Sequence, residues 1–227
     1  MNKNNDFERG KAKYEPVARL LREKYGELSW HPGQSPMDEL ISCILSQNTN
    51  DNNRDRAFDK LKANYPTWQD VVDAPTAEII DTVRVAGLAN RKGPVIQQIL
   101  QQIHTEQGRY NIDFLDDLPL DEARAWLIGL DGVGPKTAAI VLCFAFNRPA
   151  FPVDTHIHRI SKRLGFVPEK TSAEKAHPMM EAIIPAEEHY AFHIYLIRHG
   201  RDTCKARKPL CEGCPLVNYC DFYASMK

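Results

Sequence analysis

No stretch of this 227-residue chain approaches the ~18 uncharged apolar residues of a membrane span. Its start, "MNKNNDFERGKAKYE", has none of the apolar core of a secretory signal. Charge of either sign is not in excess: 29 Lys and Arg face 30 Asp and Glu, so no strong overall field advertises a partner. Alternating strand patterns, internal repeats and low-complexity tracts are missing as well. These absences exclude a membrane protein and a fibrous one. They leave an ordinary globular chain expected in the cytoplasm, on the nucleoid if the source is prokaryotic. A reducing compartment also argues against structural disulfides.

Helical signals run through nearly the whole chain. In "SPMDELISCILSQ", Ser35 is a predicted N-cap, Pro36 takes the first helical position and acids follow. Met37, Leu40, Ile41, Ile44 and Leu45 then share one face. Comparable patterns recur near 51–64, 76–86, 93–106, 120–130, 136–146, 155–165, 172–184 and 187–200. Thr171 with Glu174 reads as a capping box. The predicted class is all-α.

Cysteine is unevenly placed. Cys43 in "LISCIL" and Cys143 in "IVLCFAF" read as small core residues. The other four crowd into "CKARKPLCEGCPLVNYC" as Cys204-x6-Cys211-x2-Cys214-x5-Cys220. With disulfides disfavoured, a metal centre is the better explanation. Spacing alone leaves zinc and iron–sulfur open, because C-x2-C serves both. Local charge adds a hint. Arg198, Arg201, Lys205, Arg207 and Lys208 face Asp202 alone, and Arg148, Arg159, Lys162, Arg163 and Lys170 face two acids. Basic segments beside special motifs suit a polyanion.

The most informative stretch is "LIGLDGVGPKTAAIVLCFAF", residues 127–146. One helix ends near Gly129 and Leu130, a turn follows, and an apolar helix starts at Pro135. Gly132 and Gly134 allow positive φ and leave backbone amides uncovered. Next to a helix N-terminus such amides form a phosphate site. Lys136 stands at the second helical position, where the helix dipole disfavours a cation.

This segment resembles the helix–hairpin–helix element of the endonuclease III family of DNA glycosylases, there written L-P-G-V-G-x-K-T. "FPVDTHIHR", residues 151–159, is similar to the family's Gly/Pro-rich loop with its Asp, and the cysteine spacing to its iron–sulfur loop. Asp131 departs from the usual Pro, and Pro135 stands where a basic residue is common. The resemblance implies a bifunctional DNA glycosylase and abasic-site lyase of base excision repair. Its implied substrate is an oxidised or ring-saturated pyrimidine, or an abasic site, in double-stranded DNA. Lys136 is implied as the nucleophile that attacks the anomeric carbon and forms a Schiff base before β-elimination. Burial and the helix end would lower its amine from the ordinary ~10.4. Asp154 is implied as the second catalytic residue, and it also reads as the N-cap of the next helix. The implied DNA contacts are Gln47, Leu88, Gly132, Gly134, His156, Lys205, Arg207 and Lys208. Gln47 and Leu88 would wedge into the stack vacated by a flipped base. Cys204, Cys211, Cys214 and Cys220 are implied ligands of a [4Fe–4S] cluster. His158, His193 and His199 have no implied role and read as structural or solvated.

The implied architecture is two helical domains flanking a DNA-binding cleft, in a monomer. Residues 33–147 form a six-helix domain with the hairpin, and residues 1–32 together with 148–227 a discontinuous domain with the cluster. Lys136 and Asp154 then face each other across the cleft. Only "DFYASMK" follows Cys220, too little for the extra domain of the adenine glycosylases. Rival readings are a glycosylase of the same superfamily for mispaired or alkylated bases, a non-catalytic helix–hairpin–helix DNA-binding protein and a small iron–sulfur electron carrier.

Overall fold

The computed structural model describes residues 3–226, which contain helices and no strand. Helix α1, Lys3–Tyr25, carries no periodic signal strong enough to be expected from sequence. Most of its positions are charged or polar, and Pro16 interrupts it, removing one i→i−4 bond. Tyr14, Val17, Ala18 and Leu21 still share one buried stripe, which holds the helix in place.

Seven helices follow. They are α2 (Pro36–Ser46), α3 (Asp51–Asn64), α4 (Trp68–Asp73), α5 (Thr76–Thr82), α6 (Ala89–Gln107), α7 (Leu120–Ile128) and α8 (Pro135–Ile140). Ser35 caps α2 as expected, its side chain accepting from the Asp38 amide. Helix α4 was not expected. A reciprocal capping box of Thr67 and Asp70 fixes it, and Trp68 and Val71 bury its inner face. The expected helix over 76–86 stops at Thr82 and continues as a 3₁₀ turn, Arg84–Ala86. Helix α6 starts earlier than the Gly93–Pro94 pair suggested. A Cβ at Gly93 would lie 2.9 Å from Ile80 Cγ1, so that glycine lets α5 and α6 approach closely. Helix α8 runs on into a π turn, Val141–Ala145.

Four helices complete the chain: α9 (Thr155–Leu164), α10 (Ala173–Ile183), α11 (His189–Asp202) and α12 (Asp221–Ala224). The capping box expected from Thr171 and Glu174 does not form. Ser172 is the cap of α10 and accepts from the Lys175 amide, one position later. Cys43 and Cys143 are buried core residues.

The chain divides into two compact units, Pro32–Phe146 and Met1–His31 joined with Asn147–Lys227. Residues 1, 2 and 227 lie outside the described residues. The continuous unit has seven α-helices where six were expected, α4 being the addition. Its α2 packs on α3, α6 and α8. The discontinuous unit gathers Tyr14, Val17 and Leu21 of α1 with Phe151, Ile157, Phe166, Met180, Phe192 and Leu196 into one core.

Candidate functional site

In the continuous unit, α7 ends at Gly129 and the chain reverses through Leu130–Gly134 into α8. Leu130 and Val133 are buried and pin the reversal, and the Val133 amide returns to the Leu130 carbonyl at 3.1 Å. Gly132 has φ +79° and needs to be glycine on two counts. A Cβ there would also sit 2.8 Å from Val95 Cγ1. Gly134 differs from expectation: its φ is −98°, ordinary extended backbone, and it serves as the N-cap of α8. No side chain caps that helix, so its first amides face outward. Amides and a positive dipole end in this place are the chemistry that a phosphate site uses.

Lys136 follows directly. Its side chain is exposed, so the burial anticipated from sequence is not part of its surroundings. Its positive charge reaches the buried Cys43 thiol on α2, which burial and the neighbouring Glu39 push up. Among the described residues the amine enters no hydrogen bond or ion pair.

Gln47 caps the C-terminus of α2 and donates from Nε2 to the Gly132 carbonyl at 3.0 Å. The structure thus brings one implied wedge onto the hairpin itself. Leu88, the other, is 52% exposed and left-handed at φ 50°, ψ 30°. A large apolar side chain is thus held outward on a backbone conformation that it disfavours.

In the discontinuous unit, Phe151, Pro152 and Val153 are buried and lead to Asp154. His177 of α10 and His193 of α11 contact the Phe151 and Pro152 carbonyls at 2.9 and 3.1 Å, and Glu181 accepts the Phe151 amide at 2.9 Å. Asp154 is the N-cap of α9, one carboxylate oxygen accepting from the Ile157 amide at 2.8 Å. His156 Nδ1 accepts from Arg159 Nη2 at 3.1 Å. A guanidinium can only donate, so the ring proton is on Nε2, available to an outside acceptor.

All four clustered cysteines, none of them in a disulfide, line one small apolar cavity with Ile160, Leu164, His199, Leu210, Leu216 and Phe222. Burial and the neighbouring sulfurs push the Cys214 and Cys220 thiols up, so four thiolates need a cationic centre among them. Donors already aim at the sulfurs: Arg163 Nη1 at 3.2 Å from Cys204 Sγ and the Tyr223 amide at 3.5 Å from Cys220 Sγ. His199 Nε2 lies 3.7 Å from Cys214 Sγ. Four soft thiolates with N–H donors to sulfur fit an iron–sulfur cluster.

Lys205, Arg207 and Lys208 are exposed on the loop between the first two cysteines. The second basic segment reads differently in three dimensions. Arg159 donates to the Cys204 and Gly200 carbonyls, Arg163 to those of Lys205 and Ala206, and Lys162 pairs with Glu169. Guanidiniums expected to face a polyanion instead stitch α9 to the cysteine loop. His199, read as bland, is fully buried at the cysteines, and His158 and His193 bond to backbone carbonyls. Lys92, inside the exposed-looking "ANRKG", is also buried, a placement no sequence signal gave.

Residues 41–186 match the model of the HhH-GPD superfamily of base excision DNA repair proteins, and residues 204–220 that of the iron–sulfur binding domain of endonuclease III. Endonuclease III of Thermotoga maritima is 36% identical over 85% of this chain and 86% of its own. A putative DNA glycosylase of Arabidopsis thaliana is 37% identical over 83% of this chain and 67% of its own. A solved endonuclease III–DNA complex superposes with TM-score 0.82 at 30% identity, over 95% of this chain and 97% of that one. A trapped endonuclease III–DNA covalent intermediate gives TM-score 0.81 at the same identity, over 95% and 98%. A glycine hairpin and an Asp-capped helix within residues 41–186, and a four-cysteine loop over residues 204–220, fall inside the matched regions and leave one assignment: the chain belongs to the endonuclease III family of iron–sulfur DNA glycosylases, within the HhH-GPD superfamily of base excision repair proteins.

Proposed function

We propose that the chain is a bifunctional glycosylase and abasic-site lyase acting on oxidised or ring-saturated pyrimidines in duplex DNA. The observation that carries this reading is Lys136: an unpaired, exposed amine on the first turn of a helix, directly behind an amide nest. A flipped nucleotide whose phosphate rests on that nest brings its anomeric carbon to an amine. The Lys136 amine attacks that carbon and the base leaves with the glycosidic electron pair. Opening of the sugar ring then gives a Schiff base. Loss of a 2′ proton expels the 3′ phosphate, and water releases the enzyme. Asp154 stabilises the cationic sugar and moves protons. His156 Nε2–H, Lys205, Arg207 and Lys208 bind phosphates. Cys204, Cys211, Cys214 and Cys220 hold the cluster, in its four-iron form. What it supplies is a rigid knot that presents those cations, and no reaction step.

The relative captured as a covalent DNA intermediate supports an amine mechanism. A saturated pyrimidine, having lost planarity, stacks poorly and is cheap to flip. Borohydride trapping on matched duplexes tests the reading, with one lesion in each: thymine glycol, dihydrouracil, mispaired adenine, mispaired thymine or an alkylpurine. The damaged pyrimidines are expected to be released first and to trap the protein. Lys136→Gln is expected to abolish trapping while DNA affinity holds. Undiminished trapping in that variant, or faster release of adenine or alkylpurine, would overturn the reading. Anaerobically purified protein is expected to contain about four irons per chain. Stoichiometric zinc in their place would refute the cluster.

A further inference from the structure

Lys92 stands on α6, one turn from its start, and is 2% exposed. A buried lysine needs acceptors, and its Nζ has two: the Leu45 carbonyl on α2 and the Ala86 carbonyl on the 3₁₀ turn, each at 2.8 Å. Among the described residues no carboxylate is hydrogen-bonded to it. Burial lowers the amine to about 8, whereas the two carbonyl dipoles favour its charged form. A methionine-like stem would fill the same space with no desolvation cost. The amine is there for what it holds.

Its acceptors are not arbitrary places. Leu45 lies two residues before Gln47, at the end of α2 where Gln47 is the cap. Ala86 lies two residues before Leu88. The backbone amide of Lys92 also donates to the Leu88 carbonyl at 3.0 Å. Leu88 is therefore bracketed: the chain before it is held by the amine of Lys92 and the chain after it by the amide. Between those bonds Gly87 at φ +69° and Leu88 at φ +50° make the turn that points the leucine outward. One residue thus links the α2 terminus carrying Gln47 to the turn carrying Leu88.

We propose that Lys92 is a positioning residue that sets the two wedge side chains, Gln47 and Leu88, at a fixed spacing. It does so by holding the carbonyls of Leu45 and Ala86 on one amine. The proposal rests on the reading of Gln47 and Leu88 as wedges, given above. Two wedges entering one vacated stack from separate elements work only at one separation, and an ammonium shared by both elements fixes it. Lys92 touches no DNA and takes no part in the chemistry.

The test uses Lys92→Met, which keeps the stem and removes the donors, and Lys92→Gln, whose carboxamide retains N–H donors on a shorter stem. Flipping is read by 2-aminopurine fluorescence next to a dihydrouracil in duplex DNA, and chemistry by single-turnover excision. Borohydride trapping on a single-stranded abasic site, which has no stack to wedge, serves as the reference. Lys92→Met is expected to lose flipping amplitude and about ten- to a hundredfold of duplex excision. Single-strand trapping should stay within about twofold of wild type, since Lys136 itself is untouched. Lys92→Gln should fall between. Leu88→Ala and Gln47→Ala separate the two ideas. If they impair flipping and Lys92→Met does not, the Lys92 role is wrong and the wedges stand. If neither impairs flipping, the wedge reading itself falls. Equal loss on duplex and single strand, or failure of both Lys92 variants to fold, would make Lys92 a plain fold residue and overturn the proposal.

Discussion

Asp154 shows how one side chain can serve structure and chemistry at once. One carboxylate oxygen caps α9 through the Ile157 amide, which leaves the other for the proposed catalytic work. The two duties separate by substitution. Asparagine caps a helix as well as aspartate, so Asp154→Asn should melt close to wild type while excision slows by orders of magnitude. Asp154→Ala should lose both, with about 1 kcal/mol of stability gone with the cap. Parallel losses of stability and rate in the Asn variant would reduce Asp154 to a cap. His189 gives a second residue-scale expectation. Burial against Phe151 holds its imidazole below the ordinary value, against the pull of Glu181 and Glu187. A histidine kept neutral in the fold binds fewer protons than in the unfolded chain, so its share of stability is lost as pH falls below about 6.5. Melting temperature should therefore fall less steeply with acid in His189→Phe than in wild type. Identical slopes would assign the acid limb to other groups. The cap was legible in sequence, where "VDTH" spells it, whereas nothing in the sequence marked the His189 ring as buried. Lys92 was hidden too, because "ANRKG" reads as solvated charge and its two acceptors are carbonyls, which sequence does not show.

Among the elements, the hairpin was legible and the stitching around the cysteines was not. Glycines, a proline at the first helical position and an apolar run are local signals that fix a turn and a helix start. They did not reveal that Gly134 is extended and only Gly132 left-handed, since either angle suits glycine. Gly132→Ala isolates that point. A Cβ there is strained by its φ and meets Val95, so about 1–3 kcal/mol of stability should be lost, together with affinity for abasic-site DNA. Gly134→Ala should cost well under half as much. A reversed order would mean the amide nest lies elsewhere in the turn. Helix α1 escaped notice because a polar, proline-bearing segment is helical only through tertiary burial of Tyr14, Val17 and Leu21. Arg159 and Arg163 looked like DNA contacts for a similar reason: their acceptors lie about forty residues away along the chain.

For the molecule as a whole, a net charge of −1 means that long-range attraction to DNA rests on local placement. With Arg159, Lys162 and Arg163 engaged inside their own unit, the proposed phosphate contacts among these basic segments narrow to the exposed Lys205, Arg207 and Lys208. Affinity for abasic-site duplex should fall with salt at a log–log slope near −0.9 per phosphate neutralised. The Lys205→Ala, Arg207→Ala double variant should flatten that slope by about 2 × 0.9. An unchanged slope would put the phosphate track on other residues.

The discontinuous unit also has a history in time. Lys13 on α1 bonds to Asp221 and to the Leu164 carbonyl, and Arg9 pairs with Asp221, so its first helix closes against its last. At ~5–20 residues per second of synthesis, α1 leaves the ribosome on the order of ten seconds before α12 exists. Until Phe151 and the residues after it are made, Tyr14, Val17 and Leu21 lack the core partners that the second segment of their unit supplies, while residues 32–146 can already be folded. Cys204 to Cys220 follow those partners in the chain, so the four ligands are complete only after the hairpin unit and most of the second core have been synthesised.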